Sequence, residues 1–293
     1  MPKSTGAATI DTHHHFWKYN AEEYPWIGEH MRAIARDFLP ADLATTIRAA
    51  GIDAVVSVQA RQTVEETRWL LEMASEHDFI AGVVGWVPLA DPCVEEHLDR
   101  FCNHPKLKSI RHVLQDEPDD NYVLRPDFNA GVAKLHERGL IYDILIYERH
   151  LPQTIEFVDR HPNQVFVLDH IAKPRIKDRQ VSPWRERIAE LAKRENVRCK
   201  ISGMATEADW RNWTEADIAP YVDVVLAAFS PARLMFGSDW PVMLVASDYA
   251  RWHRTVTSAI SKLAASEQEK ILGATAAQVY RLDAKVSEFH AAS

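Results

Sequence analysis

The stretch Ile10-Asp11-Thr12-His13-His14-His15-Phe16-Trp17 decides how the rest of the chain is read. In an extended strand, residues i and i+2 point to one face. His13 and His15 therefore aim two imidazoles at one point, while His14 turns to the other side and reads as structural. Such a pair suits a divalent metal ion or a polarised substrate oxygen. Three histidines in a row also resemble a purification-tag remnant, but a tag has no reason to sit between Ile-Asp-Thr and Phe-Trp. A His-x-His pair is common by chance, so it needs partners further along.

Outward from this stretch the chain alternates short apolar runs with longer amphipathic ones. The predicted strands are 7–13, 54–59, 81–87, 107–113, 141–147, 165–169, 198–202 and 233–237. Their aliphatic and β-branched content, nearly continuous, fits strands buried on both faces of a parallel sheet. Helices are expected between them: 40–50 closed by Gly51, one opened by the capping box Thr63-Val64-Glu65-Glu66, 126–138 stopped by Gly139, then 153–160, 183–194 and 216–229. A second capping box, Ser266-Glu267-Gln268-Glu269, is expected to start a C-terminal helix. Eight strands separated by helices predict an α/β fold, a (β/α)8 TIM barrel. No repeat or linker divides the chain, so residues 1–293 read as one domain. The segment 16–39 is too long for a simple connection and is expected to cover the mouth of the active site.

The bulk properties agree. The 293 residues are 46% hydrophobic and 26% charged, a balance that supports a full core. A formal net charge of -8 without a basic cluster argues against nucleic acid or an anionic membrane surface as partner. The longest apolar run, 224–229, is too short to span a bilayer, and Met1 to Gly6 lacks the apolar stretch of a signal peptide. Three cysteines, Cys93, Cys102 and Cys199, show no metal-type spacing and read as reduced thiols of a cytoplasmic protein. Oligomeric state is not readable.

In a barrel of this kind, chemistry gathers at the carboxyl ends of the strands. Those ends carry His13 and His15, Gln59 and Arg61, Trp86, Arg111 and His112, Asp143, Asp169 and His170, Lys200 and Ser202, and Asp239. One histidine at a strand end is more often structural than a ligand. Four groups on one rim, His13, His15, His170 and Asp239, form a constellation. Arg111 is a candidate for substrate contact, with simple pairing to Asp143 or Asp169 as its structural alternative. His112 alternates with it, so only one of the two faces the axis; His150 is left open. Trp17, Trp26, Trp184, Trp210, Trp213 and Trp240 follow strand ends, where indoles suit the C–H faces of a sugar-like substrate or serve as plain core.

These motifs resemble a known family. Asp11-x-His13-x-His15-x-Trp17 looks like the opening motif of the amidohydrolase superfamily. Ile110-Arg111-His112-Val113-Leu114-Gln115-Asp116-Glu117, Leu168-Asp169-His170-Ile171-Ala172-Lys173-Pro174, Cys199-Lys200-Ile201-Ser202-Gly203-Met204 and Met235-Phe236-Gly237-Ser238-Asp239-Trp240-Pro241 are similar to its amidohydrolase-2 branch, especially the sugar-lactone hydrolases. The closing segment 273–282 resembles it too, with Thr275 where Asn is usual. The resemblance implies an amidohydrolase-type barrel with a metal set of His13, His15, His170 and Asp239. The superfamily's second metal uses a carboxylated lysine on strand four and a histidine on strand five. Here strand four has Arg111 and strand five lacks that histidine, so one divalent metal, zinc, is expected, and metal-independent catalysis is left open. The implied reaction is opening of an aldonolactone, L-fuconolactone or a similar lactone, with Asp239 as general base and acid and with His170 and Arg111 as further catalytic groups. Arg111, Trp17, Gln59, Trp86, Asp143 and Met204 are the expected substrate contacts. The alternative within the branch is a zinc-dependent decarboxylase acting on an unsaturated or aromatic acid.

Overall fold

Strands that are apolar throughout need cover on both faces, and the computed structural model, which describes residues 8–283, supplies it. Eight strands run in chain order: β1 (Ile10–His14), β2 (Ala54–Val58), β3 (Ile80–Gly85), β4 (Leu107–His112), β5 (Ile141–Ile144), β6 (Phe166–Leu168), β7 (Val197–Ile201) and β8 (Leu234–Phe236). All neighbours pair in parallel in the order β1 to β8. A helix follows each strand: α1 (Pro40–Ala50), α2 (Val64–Glu76), α3 (Val94–Asp99), α4 (Pro126–Glu137), α5 (Leu151–Arg160), α6 (Trp184–Leu191), α7 (Glu215–Phe229) and α8 (Tyr249–Ala259). Two short pieces, α9 (Ala265–Glu269) and α10 (Thr275–Val279), end the described chain. This is the (β/α)8 barrel expected from the alternation.

The seam between β8 and β1 closes the barrel with few bonds, and they sit at the His-x-His stretch. His15 N donates to Trp240 O (2.7 Å) and Asp239 N to His13 O (2.7 Å). The Thr12 hydroxyl donates to Phe236 O (2.6 Å), and Ser238 N donates to Asp11 Oδ1 (2.8 Å). Closure of the fold and placement of His13, His15 and Asp239 are thus one event.

Two apolar clusters hold the layers. The larger, with Phe128, Tyr142, Phe157, Phe166 and Trp184, lies between sheet and helices. The smaller takes alternate strand residues Ala54, Val56, Val58, Val167 and Met235 together with Tyr280 and Leu282. The closing segment thus packs its side chains with the inward residues of the strands.

Several boundaries differ from the sequence reading. β5, β6 and β8 stop at Ile144, Leu168 and Phe236, short of the expected ends; the chain then turns at Glu148–His150 after β5 and at Asp169–Ala172 directly after β6. The start expected at Ala7 lies outside the described residues, and Trp86 lies past β3. Helices α3 and α8 were not expected; Asp248 caps α8 by accepting from Arg251 N (2.7 Å). The Thr63 cap forms, accepting from Glu66 N, but the Glu66 carboxylate turns to Arg61 instead of completing the box. Near residue 266 the helix begins earlier, with Glu267 accepting from Ala264 N (3.0 Å). Among the described residues no helix is long and apolar enough to cross a membrane.

Thr12→Val keeps the volume and removes a buried donor from the seam. It is expected to lower unfolding free energy by about 1–2 kcal/mol, measured by urea denaturation; unchanged stability would show that the seam does not need this bond.

Candidate active site

Three histidines direct Nε2 toward Asp239 at the carboxyl rim. His15 Nδ1 lies 2.8 Å from Val58 O. A carbonyl only accepts, so Nδ1 donates to it and Nε2 is the atom turned to the cavity. His13 Nε2 lies 3.3 Å from His15 Nε2. From Asp239 Oδ1, His15 Nε2 is 3.4 Å away, His13 Nε2 3.8 Å and His170 Nε2 3.9 Å. All four residues are buried. The i, i+2 rule holds for His13 and His15, while His14 turns away to Ser57 Oγ (2.9 Å).

The residues fit a single metal ion. One ligand atom each from His13, His170 and Asp239 lies within 4.8 Å of the other two, and His15 adds a fourth beside His13 and Asp239. Mixed imidazole and carboxylate donors are those zinc takes, and donors around a tetrahedral zinc stand roughly 3.4 Å apart.

Behind this set lies a cluster of charges. The Lys200 ammonium sits 2.6 Å from Asp143 Oδ2, 3.0 Å from Asp169 Oδ1 and 3.3 Å from His13 Nδ1. Arg111 Nη1 donates to Asp169 Oδ2 (2.9 Å) and approaches His13 Nε2 (3.4 Å). Asp143 also accepts from the Ser109 and Tyr280 hydroxyls. Burial alone would raise the Asp169 carboxyl, but Lys200, His13 and Arg111 hold it well below the usual carboxylate range. Burial drives the His13 imidazole well below its ordinary value and brings His170 down to about 4, against the pull of their carboxylate neighbours. The Asp239 carboxyl, raised by burial, is lowered on balance by His170, His15 and Lys173. At neutral pH His170 is therefore neutral and Asp239 ionised.

The backbone is strained where it delivers these groups. His170, Ile171, Ala172 and Lys173 have φ of 53, 49, 62 and 48°, and Asp239 has φ 61°. Left-handed residues other than Gly cost about 1–2 kcal/mol each, and a β-branched Ile there is a true outlier. The turn is held by the Trp184 indole N–H donating to Ile171 O (2.8 Å) and by the contact of His170 Nδ1 with Ser202 Oγ (2.9 Å). Gly203, with φ +64°, leaves room for the ring: a Cβ there would lie 2.4 Å from His170 Nδ1.

Above the four groups opens a cavity of about 320 Å³, with His15, Arg111, His170 and Asp239 at its base. Its walls include Trp26, Met31, Gln115, Tyr147, Lys173 and Trp210. Other expected contacts lie elsewhere. Asp143 is beneath the site, consumed by Lys200. Gln59 is buried and turns its amide to Arg111. Trp86 donates to His112 Nδ1 (3.3 Å) on the outer side of β4, where His112 also meets Glu117. Trp17 is buried under its own loop and donates to Arg36 O. Met204 is buried in the apolar core. His150 faces Asp120 rather than the cavity. The sequence reading named Lys200 at a strand end and Lys173 inside a motif without giving either a role; their lysine character beside Asp143, Asp169 and His170 was the available signal.

An eight-stranded barrel with three imidazoles and a carboxylate at this rim is the framework of a hydrolytic TIM-barrel enzyme. The chain belongs to the amidohydrolase family, whose Amidohydro_2 model matches residues 10–282. It is 43% identical to the L-fucono-1,5-lactonase of Burkholderia multivorans, over 94% of this chain and 97% of the relative. It is 34% identical to the L-fucono-1,5-lactonase of Burkholderia ambifaria, over 96% and 98%. The crystal structure of an amidohydrolase from Burkholderia multivorans with bound zinc superposes with a TM-score of 0.91 at 42% identity, covering 94% of this chain and 100% of that one.

Two outcomes follow from this geometry. Lys200→Met leaves Asp143 and Asp169 short of a buried partner and is expected to cost about 3–5 kcal/mol in urea denaturation, with part regained when Asp143→Asn is added. Gly203→Ala is expected to displace His170 and weaken zinc binding about 10- to 100-fold, measured by titration of the metal-free protein; unchanged affinity would remove His170 from the ligand set.

Proposed function

We propose that this chain hydrolyses a sugar-acid lactone, with L-fucono-1,5-lactone or a similar aldonolactone as substrate. The observation that carries this reading is the convergence of His13, His15 and His170 on Asp239 at the base of a cavity sized for one small polar molecule. The two lactonases to which the chain is similar support the substrate class.

Asp239 is the general base. Its ionised carboxylate takes a proton from the attacking water as the water oxygen bonds to the lactone carbonyl carbon. The same carboxyl then returns the proton to the ring oxygen as the acyl C–O bond breaks, leaving the open-chain hydroxy acid. Arg111, fixed by Asp169 and Gln59, places positive charge beside the carbonyl oxygen as it becomes an oxyanion. His170 is neutral and bonded to Ser202, which keeps its Nε2 aimed at Asp239. Zinc held by His13, His15, His170 and Asp239 would polarise the carbonyl and acidify water at this place. The substrate is neutral and its product anionic, and an ester needs less leaving-group assistance than an amide.

The segment 16–39 acts as the cover of this site: Trp17 and Phe38 pair backbone to backbone at its base, and Trp26 and Met31 reach the cavity wall. The three cysteines are free, which accords with a reducing, cytoplasmic setting.

Wild-type protein is expected to release acid from L-fucono-1,5-lactone in a pH-indicator assay. Asp239→Asn is expected to lower kcat by about 10²- to 10⁴-fold while unfolding stays cooperative. Retained turnover would remove Asp239 as the base, and no acid release by wild type on any aldonolactone would overturn the lactonase reading.

A further inference from the structure

Of the two carboxylates in the cavity lining that the mechanism leaves without work, Asp116 is exposed and Glu207 is partly buried. Glu207 ends the 3-10 turn Ala205–Glu207 after β7 and lines the cavity with Lys173 and Asp239. Its backbone is fixed: Glu207 N donates to Met204 O (3.2 Å), and Lys177 N donates to Glu207 O (2.9 Å). Thr206 Oγ1 donates to Gly203 O, and the Trp210 indole donates to Thr206 O (2.7 Å), which locks the turn. The side chain, in contrast, accepts no hydrogen bond and forms no ion pair among the described residues. Burial pushes its carboxyl above the usual range, with Lys173 pulling the other way and Asp239 adding to the rise.

A carboxylate in a cavity wall accepts and cannot donate when ionised, so its partners there must be donors. The protein supplies none. The carbonyl and ring oxygens of a lactone supply none either; only its ring hydroxyls do. Trp210 lines the cavity three residues from Glu207, its ring stacked on His30, and presents an aromatic surface of the kind that packs on sugar C–H groups. Acceptor and aromatic thus stand three residues apart on the segment after β7.

We propose that Glu207 is a specificity-determining residue that accepts hydrogen bonds from ring hydroxyls of the lactone, selecting polyhydroxylated lactones over deoxygenated ones. This rests on the lactonase reading of the site. Asp239 handles the reacting atoms, and Glu207 handles the part of the substrate that does not react. The binding energy it supplies is present before and during ring opening, so its loss falls mainly on KM.

The test compares wild type and Glu207→Gln on L-fucono-1,5-lactone and on its 2-deoxy, 3-deoxy and 4-deoxy analogues. Glu207→Gln keeps the shape and breaks no side-chain bond within the described residues, so thermal unfolding should be unchanged. On the full lactone, kcat/KM is expected to fall about 10- to 100-fold, the worth of a hydrogen bond to a charged acceptor, chiefly through KM. On at least one deoxy analogue the same substitution should cost less than about threefold, because the hydroxyl that bonds the charged carboxylate is then absent from the substrate. An equal loss on all four lactones, or no loss on the full lactone, would overturn the proposal. Failure of the lactonase reading would look different, since wild type would then turn over none of the four.

Discussion

The Asp169 carboxylate, shared between Lys200, Arg111 and His13, is the interaction on which the rest of the site depends. Two cations from β7 and β4 are buried among the strands and matched by two carboxylates, Asp143 and Asp169, so the cluster is neutral as a unit. Such a cluster is not a source of net stability, because desolvation consumes most of the Coulomb gain. What it supplies is position. Each carboxylate oxygen that meets a cation is spoken for, and Arg111, at the cavity base, and His13, buried beside it, are held in one orientation.

Strain is stored on both sides of the same centre. The left-handed run from His170 to Lys173 and the left-handed Asp239 lie at the ends of β6 and β8, and both deliver a functional side chain. Conformations of this kind persist only where the surroundings over-determine them. Here the surroundings are identifiable: the Trp184 indole on Ile171 O, the missing Cβ of Gly203, and the seam bond from Asp239 N to His13 O. The seam is therefore more than closure, because the atoms that join β1 to β8 are the backbone of the residues that hold the chemistry.

How far the sequence could be read follows from what periodicity encodes. Alternation reports which face a residue takes: it set His13 and His15 on one face, turned His14 to the other, and allowed only one of Arg111 and His112 to face the axis, while His170 and Asp239 were legible from their place just past strand ends. It does not report depth along the strand axis. Asp143 faces inward yet lies below the mouth, in the layer of Ser109, Lys200 and Tyr280, where a charge meets protein and not ligand. Gln59 is lost to the cavity for a different reason, since its amide and carbonyl are taken by Arg111. The indoles were legible as a group but not singly: Trp17 supports the covering loop from beneath, while Trp26 and Trp210 reach the cavity. Glu207 carried no signal, because its place depends on how a turn after β7 folds back over the rim.

This division has a consequence for how the cavity is built. Its base comes from strand ends locked by burial, backbone strain and the barrel seam, so the backbone there cannot shift without disturbing the sheet. Its walls come from the segment 16–39 and the turns after β4 to β8, whose side chains Trp26, Gln115, Tyr147, Lys173 and Trp210 have no part in closing the sheet. Substitution in those walls leaves the fold's bonding intact while altering which hydroxyls and carbon faces find partners. In the proposed reaction, rate and substrate choice are therefore carried by different parts of the molecule: the reacting groups by strand ends and the seam, and the selection among lactones by loops that the barrel carries.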